Sequence, residues 1–527
     1  MSKEIKKKLI QKLNVRAERA GEEILTKTFV NAEPLMDVLV TENNQIVFGR
    51  RGTGKTHALK FLAEQVRSAY SVPIYIDLRQ VGSNGSIYSD TNLTIAERAT
   101  TLLCDVLLAI HDEILPFAID AVDRVKNADA VSKHLDEFAE QILKVRVIGP
   151  TQVSHAETQT TSNNTSGQGG LDLNALNPGL SLGGGKDATK EDKKSYTTET
   201  SGRVVPHLTF GGIQDKLNDL LKATEVERLW ILLDEWSEVP TDLQPYLADL
   251  FRRCLFPLRE VTIKIAAIEH RSNFMISRSK GEYVGIELGA DASADLNLDD
   301  FMVFDNDQQK ARDFFQHLVY RHYKSIIAEE GKEEEGTTDP ITSPEQLVQN
   351  LFTQYTVFDE FVRASEGVPR DAIHLLKEVC KSSFDSAISM AHIRKGARNW
   401  YHTDKSIALK SDNALADLLQ QIINEVIGQR RARAFFFPAD TRDERIDKLF
   451  DSRLLHVLKK NVSSHDDPGA RYDVYKLDYG CYVELMSTSQ APNNLLPQED
   501  GQQDYAEVPP DDWRAIRRAI LRPEELQ

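Results

Sequence analysis

Short, nearly continuous apolar runs separated by longer amphipathic stretches set the rhythm of the first three hundred residues. Ile46-Val47-Phe48, Val72 to Leu78, Leu229 to Leu233 and Thr262 to Ile268 are rich in apolar and β-branched residues without strict alternation, as expected of strands buried on both faces. A further strand is expected from Tyr283 to Leu288. Helical patterns fill the intervals: Ala58 to Leu62 after the first strand, Thr94 to about Val147, a run from Ile213, and Thr241 to Phe256. Five strands interleaved with helices predict an α/β fold. It is a parallel sheet with helices on both faces, and the ligand is expected at the carboxyl ends of the strands.

Residues 1–44 read as an N-terminal helical segment that starts basic (Lys3, Lys6, Lys7, Lys8, Lys12), and 45–300 as the sheet domain. Within that domain, from about 150 to 205, the composition collapses into Ser, Thr, Asn, Gly and Lys. So little apolar surface cannot offset the entropy of ordering a chain, so a disordered insertion is expected. Residues 301–405 read as an α-helical lid, interrupted by the acidic run Glu329 to Glu335, a solvated loop. Residues 406–490 show helices at Asn413 to Gln429 and Arg442 to Asp451, then strands at Leu454 to Leu458 and Tyr472 to Leu477 around the polar stretch Ser463 to Gly469. That order describes a C-terminal winged helix. Residues 491–527 are left as a tail.

A chain of 527 residues is too long for one core, so two to four domains are expected. The net charge of -17 argues against nucleic-acid binding by the surface at large. Any such contact needs a local patch, and between Arg430 and Lys460 nine basic residues face five acidic ones. This excess permits phosphate contacts without requiring them, and Arg430, Arg431, Arg433 and Arg471 are the candidates. No apolar run is long enough to cross a bilayer and the N-terminus lacks a signal-peptide core, so a cytoplasmic location with no membrane contact is expected. Cys104, Cys254, Cys380 and Cys481 are too scattered for a zinc site or a disulfide framework and read as reduced core thiols.

The densest chemistry follows the first strand. Gly49-Arg50-Arg51-Gly52-Thr53-Gly54-Lys55-Thr56 fits G-x-x-x-x-G-K-T between a strand and a helix. Its glycines let the backbone curl around an anion with N–H groups inward, Lys55 offers a charge to the β- and γ-phosphates, and Thr56 offers a hydroxyl to Mg²⁺. Gly49 through Thr56 together with His57 are therefore the expected nucleotide-binding residues. The strand Leu229 to Leu233 ends in Asp234 and Glu235. Asp234 suits the Mg²⁺ shell and Glu235 the polarisation of attacking water.

With Ala364-Ser365-Glu366-Gly367-Val368-Pro369-Arg370-Asp371-Ala372-Ile373 added, the order of motifs resembles the AAA+ P-loop ATPases. The resemblance is to the branch of origin-recognition and replication-initiator ATPases and their bacterial relatives, over about residues 25 to 490. It implies an ATPase using ATP and Mg²⁺, with Lys55, Glu235 and Arg370 catalytic and Arg370 acting as the second sensor above the γ-phosphate. It also implies a homo- or hetero-oligomer built through the ATP site, with double-stranded DNA engaged by the winged helix. A related alternative is an ATP-dependent switch in bacterial phage defence, whose C-terminal module docks an effector protein. The pattern departs at the first sensor, where Glu269-His270 stands in place of the usual Asn, Thr or Ser. Arg271 and Arg278, or else Arg252 and Arg253, are candidates for an arginine offered to a neighbouring subunit.

Overall fold

The computed structural model describes residues 2–13, 21–68, 70–82, 93–122, 127–148, 151–156, 195–200, 203–300, 305–331, 341–463, 469–487, 496, 516–517 and 519–526. It divides into two units, Met1–Ile142 with Thr209–Gln527, and Leu143–Leu208.

At the centre of the larger unit lies a five-stranded sheet in the order Ser293–Asn297, Gln45–Phe48, Val261–Ala267, Arg228–Asp234, Ser71–Asp77. Every pairing is parallel. The three inner strands are almost wholly buried, which is why they read as unbroken apolar runs. Parallel register brings the strand ends level: Asp77 lies opposite Asp234 and Phe48 opposite Ala267. The loop and the acidic pair therefore open at one end of the sheet, where the strands finish.

The fifth strand differs from the expectation. Tyr283–Gly285 pairs antiparallel with Met275–Ser277 in a separate two-stranded ribbon, and the edge position is taken by Ser293–Asn297. Its sequence, Ser-Ala-Asp-Leu-Asn, buries only Leu296 deeply. Five residues with a single buried apolar side chain carry too little apolar signal to stand out.

Helices Gln308–Gly331, Pro344–Leu351, Tyr355–Ala364, Pro369–Ser382 and Met390–Trp400 form a helical layer with a continuous core that includes Phe315, Phe358, Phe361, Leu375, Leu376 and Val379. In Pro369–Ser382 the buried Ala372, Leu375, Leu376, Val379 and Cys380 recur at helical spacing, and Pro369 opens the first turn where its missing N–H costs nothing. The basic N-terminal helix Ser2–Lys12 packs on this layer, burying Ile5, Lys6 and Leu9. Lys6 Nζ donates to the Ser383 carbonyl (2.8 Å) and the Ser383 hydroxyl (3.1 Å), so one of its charges is a structural plug.

Toward the C-terminus, Asn413–Ile422 leads into a three-stranded antiparallel sheet ordered Ala434–Pro438, Arg471–Leu477, Leu455–Ser463. A single eight-residue helix, Glu444–Asp451, lies between the first of these strands and the hairpin. The segment beyond 490, read as a tail, contributes to the fold where it is described. Phe436 exchanges backbone bonds with Ala519 and Leu521 (2.9 Å each), and Ile516 and Leu526 are buried. All four cysteines are buried and unbridged. Among the described residues no helix is long and apolar enough to cross a membrane.

In the smaller unit, Val145–Ile148 pairs with Arg203–Pro206 and Thr151–Ala156 with Ser195–Thr200, both antiparallel. The flanks of the expected disordered insertion are thus paired strands. Thr and Val supply β-branched positions there that composition alone obscured, while 157–194 lies outside the described residues. The larger unit holds its own chain ends together at this point, since Gln141 Nε2 donates to Thr209 Oγ1 at 2.6 Å. Replacing 157–194 with a short Gly-Ser linker is therefore expected to shift stability by less than about 1 kcal/mol, because closure entropy changes slowly with loop length. Thermal unfolding of the two proteins side by side checks this, and loss of soluble protein would contradict it.

Candidate functional site

The strand Gln45–Phe48 delivers the chain into a turn that only glycine permits at two positions: Gly52 has φ +96° and Gly54 φ +99°. A Cβ on Gly52 would also lie 2.9 Å from Arg370 Cβ. The helix Lys55–Val66 starts directly after Gly54, so its first N–H groups and its dipole face the loop.

Lys55 is buried, and its Nζ donates to the carbonyls of Gly49 (2.7 Å) and Arg50 (3.1 Å). Burial pushes its pKa down, opposed mainly by the nearby carboxylates of Asp234, Glu235 and Asp299. Thr56 Oγ1 donates to Asp234 Oδ2 at 2.6 Å. The same oxygen accepts from Tyr75 Oη at 2.7 Å, and Asp234 Oδ1 accepts from the Glu235 N–H at 2.8 Å. Asp234 is fully buried, and these donors are all neutral.

Glu235 sits in the left-handed region (φ 57°), a conformation costing a non-glycine residue about 1 kcal/mol or more. It turns the chain sharply off the sheet at the strand end. Burial, reinforced by Asp234, pushes its carboxyl pKa up, and Lys55, Arg79 and Arg51 oppose this. Arg79 Nη1 lies 3.7 Å from Glu235 Oε1.

The remaining loop residues divide. Thr53 Oγ1 closes the turn on the Arg50 carbonyl (2.9 Å), and Arg51 reaches Glu238 (2.5 Å) at the surface. Arg50 commits its backbone N–H (2.8 Å) and its Nε (2.6 Å) to Asp299. His57 faces away from the phosphate side: its Nε2–H donates to the Leu25 carbonyl (2.6 Å) and its ring meets Phe29 edge-on. From the helical layer, Arg370 N donates to the Gly52 carbonyl at 3.2 Å, which seats the start of Pro369–Ser382 on the loop. Its charge is close enough to depress Lys55 further. Beside this junction an apolar hollow is lined by Phe29, Val30, Leu35, Leu298, Phe314 and Pro369, with Gly54 and His57 at its edge.

The structure thus brings Gly49 through Thr56, Asp234, Glu235 and Arg370 together. Glu269-His270 follows the strand Val261–Ala267 at the same end of the sheet, where the Ala267 carbonyl accepts from the Gly49 N–H at 3.2 Å, and both side chains are engaged by other residues. Glu269 pairs with Lys460 (2.5 Å) and accepts from Asn297 Nδ2 (3.2 Å), while His270 Nδ1 lies 3.2 Å from Asp447. Arg252 and Arg253 are both held by Asp249 (2.6 and 2.7 Å), whereas Arg271 and Arg278 are exposed. In the C-terminal module Arg433 is buried, and Arg430 bonds the Ile520 carbonyl and Glu525. Neither is a surface charge of the kind the sequence suggested. Tyr75 and Asp299 were not singled out in the sequence. A tyrosine two residues before the end of a strand lying beside the Asp234 strand is the signal that could have found the first, while Asp299 had none.

Over residues 14–85 the chain matches the ORC-CDC6-like family model. No curated protein sequence matches it. Among solved structures, the Walker-type ATPase PABY2304 of Pyrococcus abyssi overlaps 89% of this chain and 97% of its own at 14% identity and a TM-score of 0.37. The Aeropyrum pernix ORC1 protein, solved in complex with DNA, overlaps 89% and 92% at 14% identity and a TM-score of 0.27. The match over residues 14–85, which takes in the whole phosphate loop, agrees with the resemblance read from the motifs: this chain is similar to the ORC-CDC6-like branch of the AAA+ ATPases.

Proposed function

We propose that the chain binds ATP with Mg²⁺ between the loop and the helical layer, hydrolyses it, and uses the cycle to drive its own assembly and its engagement of DNA. The observation that carries this reading is Asp234. A fully buried carboxylate 2.6 Å from the Thr56 hydroxyl, at the end of its strand and beside the phosphate loop, sets side by side two oxygens of the kind a divalent cation takes as ligands. Bound there, Mg²⁺ would be held by Thr56 and Asp234 and would neutralise charge on the phosphates. Lys55 has its ammonium at the loop carbonyls, within the curl that an anion would enter. Glu235 is the base: its raised pKa makes it a better proton acceptor from water than an ordinary carboxylate. Arg370 adds positive charge from the opposite wall. Exposed Arg271 and Arg278 are the arginines available to a neighbouring subunit's nucleotide.

Removing Mg²⁺ with EDTA is expected to weaken ATP binding by at least about tenfold, roughly 1.4 kcal/mol, and to matter far less to Thr56→Ala. Fluorescent-nucleotide titration of both proteins with and without EDTA checks this. Equal affinity of the parent in both buffers would contradict the cation site.

DNA engagement rests on the exposed cations Arg431, Lys459 and Arg471 of the C-terminal module. Replacing Arg431 and Arg471 by Ala is expected to lower the slope of log affinity against log salt by about one per lost phosphate contact. Arg433→Ala, a buried change, should leave that slope alone. A salt series of fluorescence anisotropy on duplex DNA reads both, and salt-independent behaviour of the parent would move the module to a protein-docking role.

A further inference from the structure

The side chain at position 50 of the phosphate loop ties the loop to the C-terminal module. Beyond its bonds to Asp299, Arg50 donates from Nη1 to the Leu455 carbonyl (2.9 Å) and from Nη2 to His456 Nδ1 (3.2 Å), and its guanidinium lies 4.3 Å from the centroid of the Phe450 ring. Arg50 and His456 are 3% and 2% exposed, so this joint is closed to water. An arginine can only donate, which assigns Nδ1 of His456 as acceptor and places its proton on Nε2, donated to Asp478 Oδ2 at 3.1 Å.

The chain of buried contacts continues. Asp478 accepts from Lys405 (2.5 Å), Lys405 pairs with Asp371 (3.0 Å), and Asp371 pairs with Arg453 (3.3 Å). Asp371 follows Arg370, whose N–H holds the Gly52 carbonyl. Alongside, Lys476 of the C-terminal sheet bonds Asp305 (2.6 Å) and Glu366 (3.0 Å), and Glu366 stands in the turn that leads into the Arg370 helix. The C-terminal sheet therefore touches the loop directly at Arg50 and returns to it through the helix that carries Arg370. An apolar joint of the same shape would stabilise the fold at least as well. A polar one, whose donors and acceptors must meet at fixed distances and angles, admits far fewer docking geometries.

We infer that Arg50 and His456 are positioning residues that make the C-terminal module part of the nucleotide site. Docking of the module holds the loop and the start of the Arg370 helix in register, and nucleotide in the loop favours the docked module in return. A partner that draws the module away then weakens nucleotide binding. The inference rests on the reading that the loop takes ATP.

Reciprocity supplies the test, because a coupling between two sites acts equally in both directions. Hydrogen exchange is followed on the intact parent protein with and without a non-hydrolysable ATP analogue and Mg²⁺. A titration in the same buffer establishes occupancy. Slower exchange in Leu455–Ser463 on nucleotide binding is expected, and it needs no variant. Arg50→Ala and His456→Ala are each expected to weaken analogue binding by about 5- to 150-fold, and the double variant to lose little more than either alone. Unchanged exchange at demonstrated occupancy, or parental affinity in both single variants, would overturn the inference while leaving ATP binding in place. No binding by the parent would remove the ATP reading itself, and this inference with it.

Discussion

Glu235→Gln is expected to bind ATP as tightly as the parent and to lose turnover by about 10²- to 10⁴-fold, whereas Lys55→Ala is expected to lose binding itself. The difference follows from what each side chain offers. Lys55 is a buried ammonium at the heart of the loop, satisfied by two loop carbonyls, and the charge it presents acts on phosphate in the ground state. Its charge-assisted bonds are worth about 1.5–3 kcal/mol each, so binding weakens by roughly 10- to 150-fold for each one lost. Glu235 stands at the strand end, with its carboxyl pKa raised by burial and by Asp234. Glutamine keeps its shape but cannot take a proton, so only the chemical step suffers. Nucleotide titration and phosphate release measured on both variants separate the two roles. A Glu235→Gln protein with parental turnover would remove that residue from catalysis.

Lys405→Met is expected to cost about 3–5 kcal/mol of stability at neutral pH, the usual penalty for breaking a buried ion pair from one side. Lys405 is 3% exposed and lies between Asp371 and Asp478, each 1% exposed by side chain. Arg453 and His456 also face these carboxylates, but His456 is held neutral, its pKa pushed down to about 3 by burial and by Arg50. In the parent both carboxyl pKa values are lowered, with Lys405 the largest favourable cause. The sign of the pH effect follows. Depressed carboxylates stabilise the fold above their unfolded pKa of about 3.9 and lose that contribution as pH falls toward their folded values. The raised pKa of Lys405 gives stability that is complete below its unfolded pKa of about 10.4 and disappears only above it. The parent should therefore weaken on acidification below about pH 4. Without Lys405, burial favours the protonated acids, so the deficit of Lys405→Met should shrink as pH falls from 7 toward 4. Urea unfolding of both proteins at pH 7 and pH 4 tests this, and a deficit that stays constant would contradict the ion-pair account.

The sheet and the loop were legible because their determinants are local. A strand buried on both faces announces itself as an apolar run, and a phosphate loop must place glycines, lysine and threonine at fixed spacing. Asp234 and Glu235 could be assigned roles because the strand that carries them is itself an apolar run. What sequence pattern could not show is pairing across long separations. Arg50 and His456 lie 406 positions apart, and nothing local to either announces the other. Arg433 read as a surface cation because the pattern around it is basic, yet the sheet buries it. Ser293–Asn297 was missed because Ser, Asp and Asn fill three of its five positions and only Leu296 is buried, so no apolar run marks it.

Whether this loop, with Asp234 and Glu235, binds and cleaves ATP is decided by phosphate release from the purified parent protein with ATP and Mg²⁺, run beside a calorimetric titration. Saturable binding of one nucleotide per chain is expected, with phosphate release that disappears in Glu235→Gln while its binding isotherm persists. A flat titration, or phosphate release that survives unchanged in both Lys55→Ala and Glu235→Gln, would contradict it.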